Sequence, residues 1–329
     1  IGVGMLGYAF MGKAHTNAFK KLPYMYYPPP AMPVLKGICG RNESAVQESA
    51  QRFGYEYGTT DWKKLIDDPE IDLIDNNGPN NVHAEPCIAA LEAGKHTIVE
   101  KPLALNLDEA RQMAEAAKKA SKKGIKSMVS FSNRFSPAVL LAKRLIEQGK
   151  IGEIYHFRAA FLQDWLISPD FPLAWRMDKK VAGSGVLGDL NAHSLDMARF
   201  LTGLEITEVS GVTETFIKER PMPLEASGLS GKGGTEKGPV TVDDASLGMF
   251  RFSNGGLGTL EATRFATGRK SLWQIEVYGS KGAIQFELTE NNLLQYFSLE
   301  DPLETQGFRT ILVTESDVHD WIKNWWPPG

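Results

Sequence analysis

The first 130 residues alternate between short apolar runs and amphipathic stretches with helical spacing. The clearest helical stretch covers residues 106–120, where Asn106 can cap the helix and Glu109 follows three residues later. The apolar runs between such stretches predict strands at residues 1–6, 34–39, 71–75, 97–99 and 127–131. Strands that alternate with helices form a parallel sheet covered on both faces, so an α/β, doubly wound first domain is predicted.

The pattern changes after about residue 128. A predicted helix over residues 137–148 is followed by runs with period-two alternation, separated by glycines. These runs predict strands at residues 154–161, 209–216, 245–252, 258–266, 273–278 and 283–287. They are typical of an α+β domain with a large, open, mostly antiparallel sheet. The predicted domains are therefore residues 1–128 and 129–329, with the Gly- and Ser-rich residues 227–238 as a surface loop.

Composition excludes several classes of function. The formal net charge is −4 with both signs spread along the chain, so no basic patch indicates nucleic acid binding. No apolar run reaches the roughly 18 residues that a membrane-spanning helix needs. Cys39 and Cys87 lie in apolar segments, which favours buried thiols and a reducing, cytoplasmic location. Because the chain opens on Ile1 without a methionine, we expect a few residues to precede it.

A glycine-rich turn follows the first predicted strand and reads Gly7-Tyr8-Ala9-Phe10-Met11-Gly12. This is the spacing of a dinucleotide fingerprint with alanine at its second small position. Gly7 permits the tight turn, Ala9 lets the backbone approach a pyrophosphate, and Gly12 packs the helix on the sheet. The N–H groups of the following helix, from Phe10 and Met11 onward, would then face the phosphates. The alternative is a plain Gly-rich turn.

The end of the second strand bears on the choice of cofactor. An acidic residue is expected there to hold a ribose hydroxyl, but the sequence reads Cys39-Gly40-Arg41-Asn42. A small residue followed by arginine leaves room for a 2′-phosphate and supplies a cation to pair with it. We therefore expect NADP or NAD with NADP favoured, although Arg41 that only stacks on the adenine would also allow NAD.

Two further strand ends carry candidate cofactor residues. The third strand leads into a loop with many amides, and its candidates are Asn77, Pro79, Asn80 and His83, which either contact the cofactor ribose or form a plain turn that caps the next helix. The fourth strand ends in Glu100-Lys101-Pro102, where the proline keeps Lys101 out of helical geometry. Lys101 can therefore reach cofactor and substrate together, whereas the alternative is an ordinary solvated lysine.

The second domain contributes an Asp/His pair. Residues 183–196 are predicted to include a helix that buries Leu187, Leu190, Ala198 and Leu201. Asp189 and His193 are four residues apart and would share a face of that helix. On its own, such a pair is usually a surface pair or a structural hydrogen bond. A metal site is disfavoured because no third ligand accompanies it at a recognisable spacing.

These motifs together resemble the Gfo/Idh/MocA family of sugar and cyclitol oxidoreductases. The matching pieces are the Gly7 to Gly12 turn, Glu100-Lys101-Pro102, Asn133-Arg134-Phe135-Ser136-Pro137-Ala138, and Asp189 with His193, in the family's order and spacing. Residues 161–165 and 172–176 resemble levoglucosan-dehydrogenase-like and inositol-dehydrogenase-like members. The resemblance implies a Rossmann first domain. It also implies a C-terminal helical segment beyond residue 329, so we expect the chain to be incomplete.

The resemblance further implies hydride transfer between a sugar-like or cyclitol secondary alcohol and a nicotinamide. Lys101 would bind the reacting oxygen and Glu100 would lie beside the cofactor. His193 would act as base and Asp189 would orient the hydroxyl. Candidates for the pocket wall are Asn133, Trp165, Trp175 and Arg176, although both tryptophans could equally be core residues.

Two alternative functions stay open, and an assembly is expected. Some members of the family use NAD transiently during glycoside cleavage, which makes an NAD-assisted glycosidase the second hypothesis. A non-catalytic, cofactor-sensing regulator is the third, although Lys101, Asp189 and His193 occurring together argue against it. Because one face of the predicted open sheet needs covering, a homodimer or homotetramer through the second domain is expected.

Overall fold

The computed structural model describes residues 1–227, 230–319 and 321–324. Two compact units make up the chain. Unit 1 is Ile1–Ser130 with Asp178–Gly183, and unit 2 is Phe131–Met177 with Ser184–Gly329. The short segment Asp178–Gly183 thus groups with unit 1, although it lies inside the second predicted domain.

Unit 1 is built on a six-stranded parallel sheet. Its strands are β1 (Gly2–Leu6), β2 (Val34–Cys39), β3 (Tyr57–Thr59), β4 (Leu73–Asn76), β5 (His96–Val99) and β6 (Ser127–Val129), in the order β3-β2-β1-β4-β5-β6. The order reverses between β1 and β4, which is the switch point where doubly wound sheets bind ligands at the carboxyl ends of their strands. The predicted α/β class of this domain is confirmed.

Five helices connect these strands: α1 (Phe10–Met25), α2 (Glu43–Phe53), α3 (Lys63–Asp67), α4 (Ala84–Glu92) and α5 (Leu107–Ser121). Asn106 caps α5 by accepting the N–H of Glu109 at 2.9 Å, as its sequence predicts. All five residues of β1 are buried, as a central parallel strand requires. β3 was not predicted, because three residues are too few to show a period.

Unit 2 is built on an eight-stranded sheet in the order β16-β15-β14-β13-β7-β12-β11-β8. Its strands are β7 (Ile154–Leu162), β8 (Ile206–Glu214), β11 (Ala245–Phe252), β12 (Leu257–Thr263), β13 (Leu272–Gly279), β14 (Gly282–Glu287), β15 (Leu293–Ser298) and β16 (Arg309–Leu312). Every neighbouring pair is antiparallel except β7 and β12, which are parallel. The predicted mostly antiparallel sheet is confirmed.

Helices cover one face of this sheet. Apolar residues of α6 (Pro137–Glu147) and α9 (Asn191–Thr202) share one core with Phe157, Phe252 and Trp273 from the strands. On the other face, Leu247 and Met249 of β11 are exposed. Among the described residues, no helix combines the length and the apolar character needed to cross a bilayer.

The prediction of a loop at residues 227–238 was wrong. Residues 227–238 are not a loop: β9 (Glu219–Ser227) and β10 (Ser230–Pro239) pair as an antiparallel ribbon, with residues 228 and 229 outside the described part. Ladder hydrogen bonds join backbone groups, so a Gly-rich composition did not prevent them. Residues 325–329 also lie outside the described part, and the further helical segment was expected beyond residue 329.

The predicted helix over residues 183–196 is interrupted. α7 (Lys179–Ala182) precedes it, α8 (Val186–Asp189) ends at Asp189, and α9 starts two residues later. The carboxylate of Asp243 accepts the N–H groups of Gly185 and Leu187, each at 2.7 Å, and so sets where α8 begins. As a result Leu187 is exposed rather than buried, whereas Leu190 is buried as predicted.

Candidate functional site

The Gly7 to Gly12 turn of unit 1 has the shape of a dinucleotide cradle. Gly7 has a φ of +98°, and a Cβ there would lie 2.7 Å from the carbonyl oxygen of Asn77. A Cβ on Gly12 would lie 2.0 Å from the carbonyl oxygen of Gly7. The N-cap residue of α1, Ala9, offers no side-chain acceptor, so the first-turn N–H groups are not capped by a side chain. Both the space and the donors fit a pyrophosphate at this turn.

The end of β2 adjoins this turn. The carbonyl of Cys39 accepts the N–H of Gly7 at 2.8 Å, and the Tyr8 ring lies where a Cβ of Gly40 would stand. Arg41 is exposed and makes no hydrogen bond or ion pair with the described residues. Asn42 caps α2 by accepting the N–H of Ala45 at 2.9 Å. Of these two predicted cofactor residues, Arg41 has a side chain that is available to a ligand, whereas the side chain of Asn42 caps α2.

The loop after β4 is held by its own side chains. Asn77 donates to Asp75 at 2.9 Å, and buried Asn80 donates to the carbonyl of Ala182 at 2.8 Å. The two ring nitrogens of His83 lie 2.9 Å and 3.0 Å from the carbonyl oxygens of Pro102 and Gly78. Burial lowers the pKa of His83. Asn80 and His83 therefore shape the loop, and half-buried Pro79 directly precedes Asn80 in the chain.

Glu100 and Lys101 follow β5, and Glu100 belongs to an ionic cluster with His15 and Asp75. Glu100 accepts the N–H of Lys101 at 3.1 Å, and its other carboxylate oxygen lies 3.2 Å from a ring nitrogen of His15. The other ring nitrogen of His15 lies 2.9 Å from Asp75. The sequence prediction missed His15 and Asp75. A buried strand that ends in an aspartate was the available signal, because such a carboxylate needs a partner.

Asp189 is the centre of the candidate site in unit 2. It ends α8, and Leu190 separates it from α9, which carries His193 in its first turn. Asp189 accepts a 2.6 Å hydrogen bond from Nη2 of Arg264, a side chain that is 1% exposed. The guanidinium of Arg264 also lies 5.3 Å from the centre of the Trp165 ring. Asp189 and Trp165, both predicted site residues, are therefore linked through a third residue.

Arg264 is a partner of the candidate residue Asp189 that the sequence prediction did not include. In β12 the residues Gly258, Leu260 and Ala262 face inward, and Arg264 continues this period of two just past the end of the strand. Counting that period would have placed a charge on the buried face. A buried arginine without a known partner is a reason to search for a carboxylate.

The ring of His193 lies among aromatic rings. The centroids of Phe131, Phe161 and Trp273 lie 5.8 Å, 6.0 Å and 5.9 Å from that of the His193 ring. Trp273 donates its indole N–H to the hydroxyl of Ser194 at 3.0 Å, which anchors the cluster to α9. The surroundings of His193 in unit 2 are thus largely apolar and preorganised.

The predicted wall residues are half-buried. Trp165 packs edge-on against Phe171 at 5.2 Å, and the guanidinium of Arg176 lies 4.4 Å from the centre of the Trp175 ring. Burial lowers the pKa of Arg176, which Asp189 opposes and Arg264 reinforces. Asn133 is half-buried in the 3-10 turn Ser132–Phe135. Neither tryptophan is a fully buried core residue.

Comparisons with known proteins agree with both units. The NAD-binding Rossmann-fold model of the oxidoreductase family matches residues 1–127, and the GFO/IDH/MocA C-terminal domain model matches residues 139–285. Levoglucosan dehydrogenase of Pseudarthrobacter phenanthrenivorans is 44% identical over 99% of this chain and 83% of its own length. Myo-inositol 2-dehydrogenase of Thermotoga maritima is 28% identical over 86% of this chain and 72% of its own.

Solved structures show the same likeness. An oxidoreductase domain protein from Kribbella flavida superposes with a TM-score of 0.94 at 48% identity, covering 100% of this chain and 84% of that one. Levoglucosan dehydrogenase in complex with NADH and L-sorbose superposes with a TM-score of 0.92 at 44% identity, covering 100% and 83%. With a dinucleotide turn in unit 1 and matches along both units, the chain belongs to the Gfo/Idh/MocA family of oxidoreductases, as its motifs predict.

Proposed function

We propose that this oxidoreductase is an NAD(P)-dependent dehydrogenase that oxidises a secondary alcohol of a sugar-like or cyclitol substrate. The observation that carries the proposal is the Gly7 to Gly12 turn with its uncapped helix start. It occurs in a chain 44% identical to levoglucosan dehydrogenase, which has been solved with NADH. The NAD-assisted glycosidase and the cofactor-sensing regulator are the alternatives that the experiment below separates from it.

The proposed chemistry assigns one role to each of three side chains. When bound, the nicotinamide supplies the hydride acceptor. His193 takes the proton from the substrate hydroxyl, and its aromatic surroundings limit competition from water. Asp189, fixed by Arg264, orients that hydroxyl. Lys101 donates a hydrogen bond to the reacting oxygen, which stabilises negative charge as it develops.

We propose a cyclic polyol or anhydrosugar as substrate. Levoglucosan dehydrogenase has been solved with levoglucosan and with L-sorbose, and another relative is a myo-inositol dehydrogenase. In unit 2, the partly exposed ring of Trp165 offers an apolar face of the kind that packs on a sugar ring. Arg176 and Asn133 lie in the same unit and supply donors for hydroxyl oxygens.

For the cofactor, we propose that NADP binds at least as tightly as NAD. Support comes from the exposed guanidinium of Arg41, which follows the small residue Gly40. A 2′-phosphate offers that guanidinium a charge-assisted, bidentate partner. The NADH complexes of levoglucosan dehydrogenase support use of NAD as well.

We propose that the chain assembles into a homodimer or homotetramer through the open face of the large sheet. A groove on that face is lined by Val212, Leu247, Met249 and Thr259, together with an Arg158–Glu276 ion pair of 2.9 Å. A second copy brings the same mixed surface, so apolar residues and opposite charges can pair across a twofold axis. The free, buried thiols of Cys39 and Cys87 support a cytoplasmic location.

The proposed activity is tested by following reduced nicotinamide with levoglucosan, L-sorbose and myo-inositol, each with NAD and NADP. We expect turnover with at least one pair, and His193→Ala should lower kcat by about 10²–10⁴-fold. Lys101→Ala should lower kcat sharply while cofactor affinity stays close to wild type. His96→Ala, at the opposite end of β5 from Lys101, is the matched control and should stay active.

The outcomes separate the three hypotheses. Cleavage of a glycoside without net reduction of added cofactor would favour the glycosidase. Cofactor binding without turnover of any alcohol would favour the regulator. A His193→Ala variant with full dehydrogenase activity would refute the assigned base.

A further inference from the structure

His15 is a half-buried residue of unit 1 for which the proposed chemistry has no role. It lies in α1, one turn after Gly12, where the ends of three strands meet. Its Nδ1 lies 2.9 Å and 3.1 Å from the two carboxylate oxygens of Asp75, which is in β4. Its Nε2 lies 3.2 Å from Glu100, just after β5, and 3.5 Å from the hydroxyl of Ser130, just after β6.

This geometry favours a charged ring. A neutral imidazole has one N–H, so it can donate to only one of two carboxylates, whereas an imidazolium donates from both nitrogens. The Asp75 side chain is 0% exposed and that of Glu100 is 8% exposed. Two carboxylates buried side by side are stable as anions only with a cation between them. His15 holds that place.

Burial and the charges of the cluster act in opposite directions. Burial raises the pKa of Asp75, although His15 and Asn77 act against that rise. Burial opposes charge on His15, but the hydrogen bonds and charges of Asp75 and Glu100 overcome it and raise the pKa of His15 to about 10. Burial also works against the charge of Glu100, but His15 and Lys101 hold the pKa of Glu100 below its ordinary value. The amide of Asn77 donates to Asp75 from the other side. The cluster therefore keeps its proton on His15 at neutral pH.

The cluster reaches Lys101 through Glu100. The carboxylate of Glu100 accepts the N–H of Lys101 at 3.1 Å, and the N–H of Glu100 donates to the carbonyl of Asn76 at 2.9 Å. The N–H of Ser130 donates to the carbonyl of Val99 at 2.8 Å, which ties β6 to the same point. The direction in which the chain leaves β5 is thus determined by hydrogen bonds that meet at Glu100.

We propose that His15 is a positioning residue: as an imidazolium it donates to both Asp75 and Glu100 and, through Glu100, sets where Lys101 stands. The role rests on the proposed function, in which Lys101 binds the reacting oxygen. In this role His15 keeps its proton, since both of its N–H groups donate to carboxylates. It acts on the rate through the placement of Lys101.

The first test reads the protonation of His15 directly and needs no enzyme activity. Nitrogen-15 NMR of the histidine rings in the intact protein, assigned with the His15→Gln variant, should show both nitrogens of His15 protonated from pH 6 to pH 8. A His15 ring that is neutral at pH 7 would overturn the proposal, whether or not the protein is a dehydrogenase.

The second test separates positioning from general stability. His15→Gln should speed hydrogen exchange of the Lys101 amide and lower kcat by up to about 100-fold, with little change in the KM for cofactor. The control is His96→Gln, because His96 begins β5 and accepts the N–H of Lys126 at 2.9 Å. It should leave both readouts at wild-type values.

Three results of the second test have clear meanings. Wild-type kcat in His15→Gln would refute the role of His15. An equal fall of kcat in both variants would show that His15 only stabilises the sheet. If the wild-type protein oxidises no alcohol, but exchange at Lys101 still rises in His15→Gln alone, the positioning of Lys101 stands and the proposed dehydrogenase activity fails. Should His15→Gln not fold, the NMR measurement on the wild-type protein decides.

Discussion

Asp189 and Arg264 are 75 residues apart in the chain and are joined by a 2.6 Å hydrogen bond between Oδ2 and Nη2. Asp189 keeps 28% of its side chain exposed, whereas Arg264 keeps 1%. Nε and Nη1 of Arg264 are buried and have no acceptor among the described residues. The guanidinium is therefore costly to bury and is directed at one carboxylate, which is the pattern of a side chain kept to orient another.

Replacing Arg264 with Met should affect activity much more than stability. The substitution removes a buried charge with unsatisfied donors, and Asp189 can take up water in its place, so the loss of stability should stay below about 1.5 kcal/mol. Because Asp189 then loses its fixed orientation, kcat should fall by up to about 100-fold. The kcat of Arg264→Lys should lie between those of the wild type and Arg264→Met. Urea unfolding and steady-state kinetics measure the two effects. Large destabilisation with normal kcat would make the pair purely structural.

Gly12→Ala should destroy the dinucleotide turn. Its Cβ would lie 2.0 Å from the carbonyl oxygen of Gly7, so helix and strand must separate. Overpacking of this kind costs typically about 1–3 kcal/mol, and the phosphate donors move with the helix. Thermal unfolding and cofactor titration should both show the loss. Gly307→Ala is the control, because nothing lies within 4 Å of the added Cβ. Normal cofactor affinity in Gly12→Ala would contradict the assigned cradle.

Arg41→Ala should weaken NADP and leave NAD almost unchanged. A hydrogen-bonded charge pair contributes about 1.5–3 kcal/mol, which corresponds to roughly tenfold or more in the Kd for NADP. Fluorescence titration with NADH and NADPH measures both affinities. Arg52→Ala near the C-terminal end of α2 removes another arginine of the same unit as a control. Strong preference of the wild type for NAD, with no effect of Arg41→Ala, would show that Arg41 does not bind a phosphate.

Stability should fall as the pH rises from neutral to alkaline values. The pKa of His15 is about 10 in the folded protein and 6.5 ordinarily. Between these values the folded state binds more protons than the unfolded state. The contribution of His15 to the stability of the folded state is therefore complete below pH 6.5 and is lost as the pH approaches 10. Urea unfolding at several pH values measures the slope, and His96→Gln should retain it. A constant free energy of unfolding over this range would contradict the charge state of His15.

Met249→Lys should break the proposed assembly. Met249 is exposed on the open face of the large sheet, and a lysine there would meet its own symmetry mate or an apolar neighbour. Light scattering should give a dimer or tetramer for the wild type and a smaller species for the variant. Leu224→Lys changes an equally exposed apolar residue on the separate β9–β10 ribbon and should not alter the mass. A monomeric wild type at micromolar concentration would refute the assembly.

Local patterns predicted most of the regular structure. The predicted limits of β2 and β11 match the structure, because an apolar or alternating run that ends in turn residues defines its own ends. α5 begins where its cap, Asn106, predicts. The β9–β10 ribbon was missed, because its ladder depends on backbone pairing between two segments and not on the composition of either.

The sequence by itself determined the two fold classes, the family and the motif residues Lys101, Asp189 and His193 as candidates. Those signals are local: a period, a cap, or a short motif with its spacing. Only the tertiary structure decided that Asp189 pairs with Arg264 and that His15 lies between Asp75 and Glu100. Such partners are 60 to 85 residues apart, and strand order and register bring them together. Burial then determines the interaction energy of each ion pair, because the same two charges interact weakly in water and strongly in the interior.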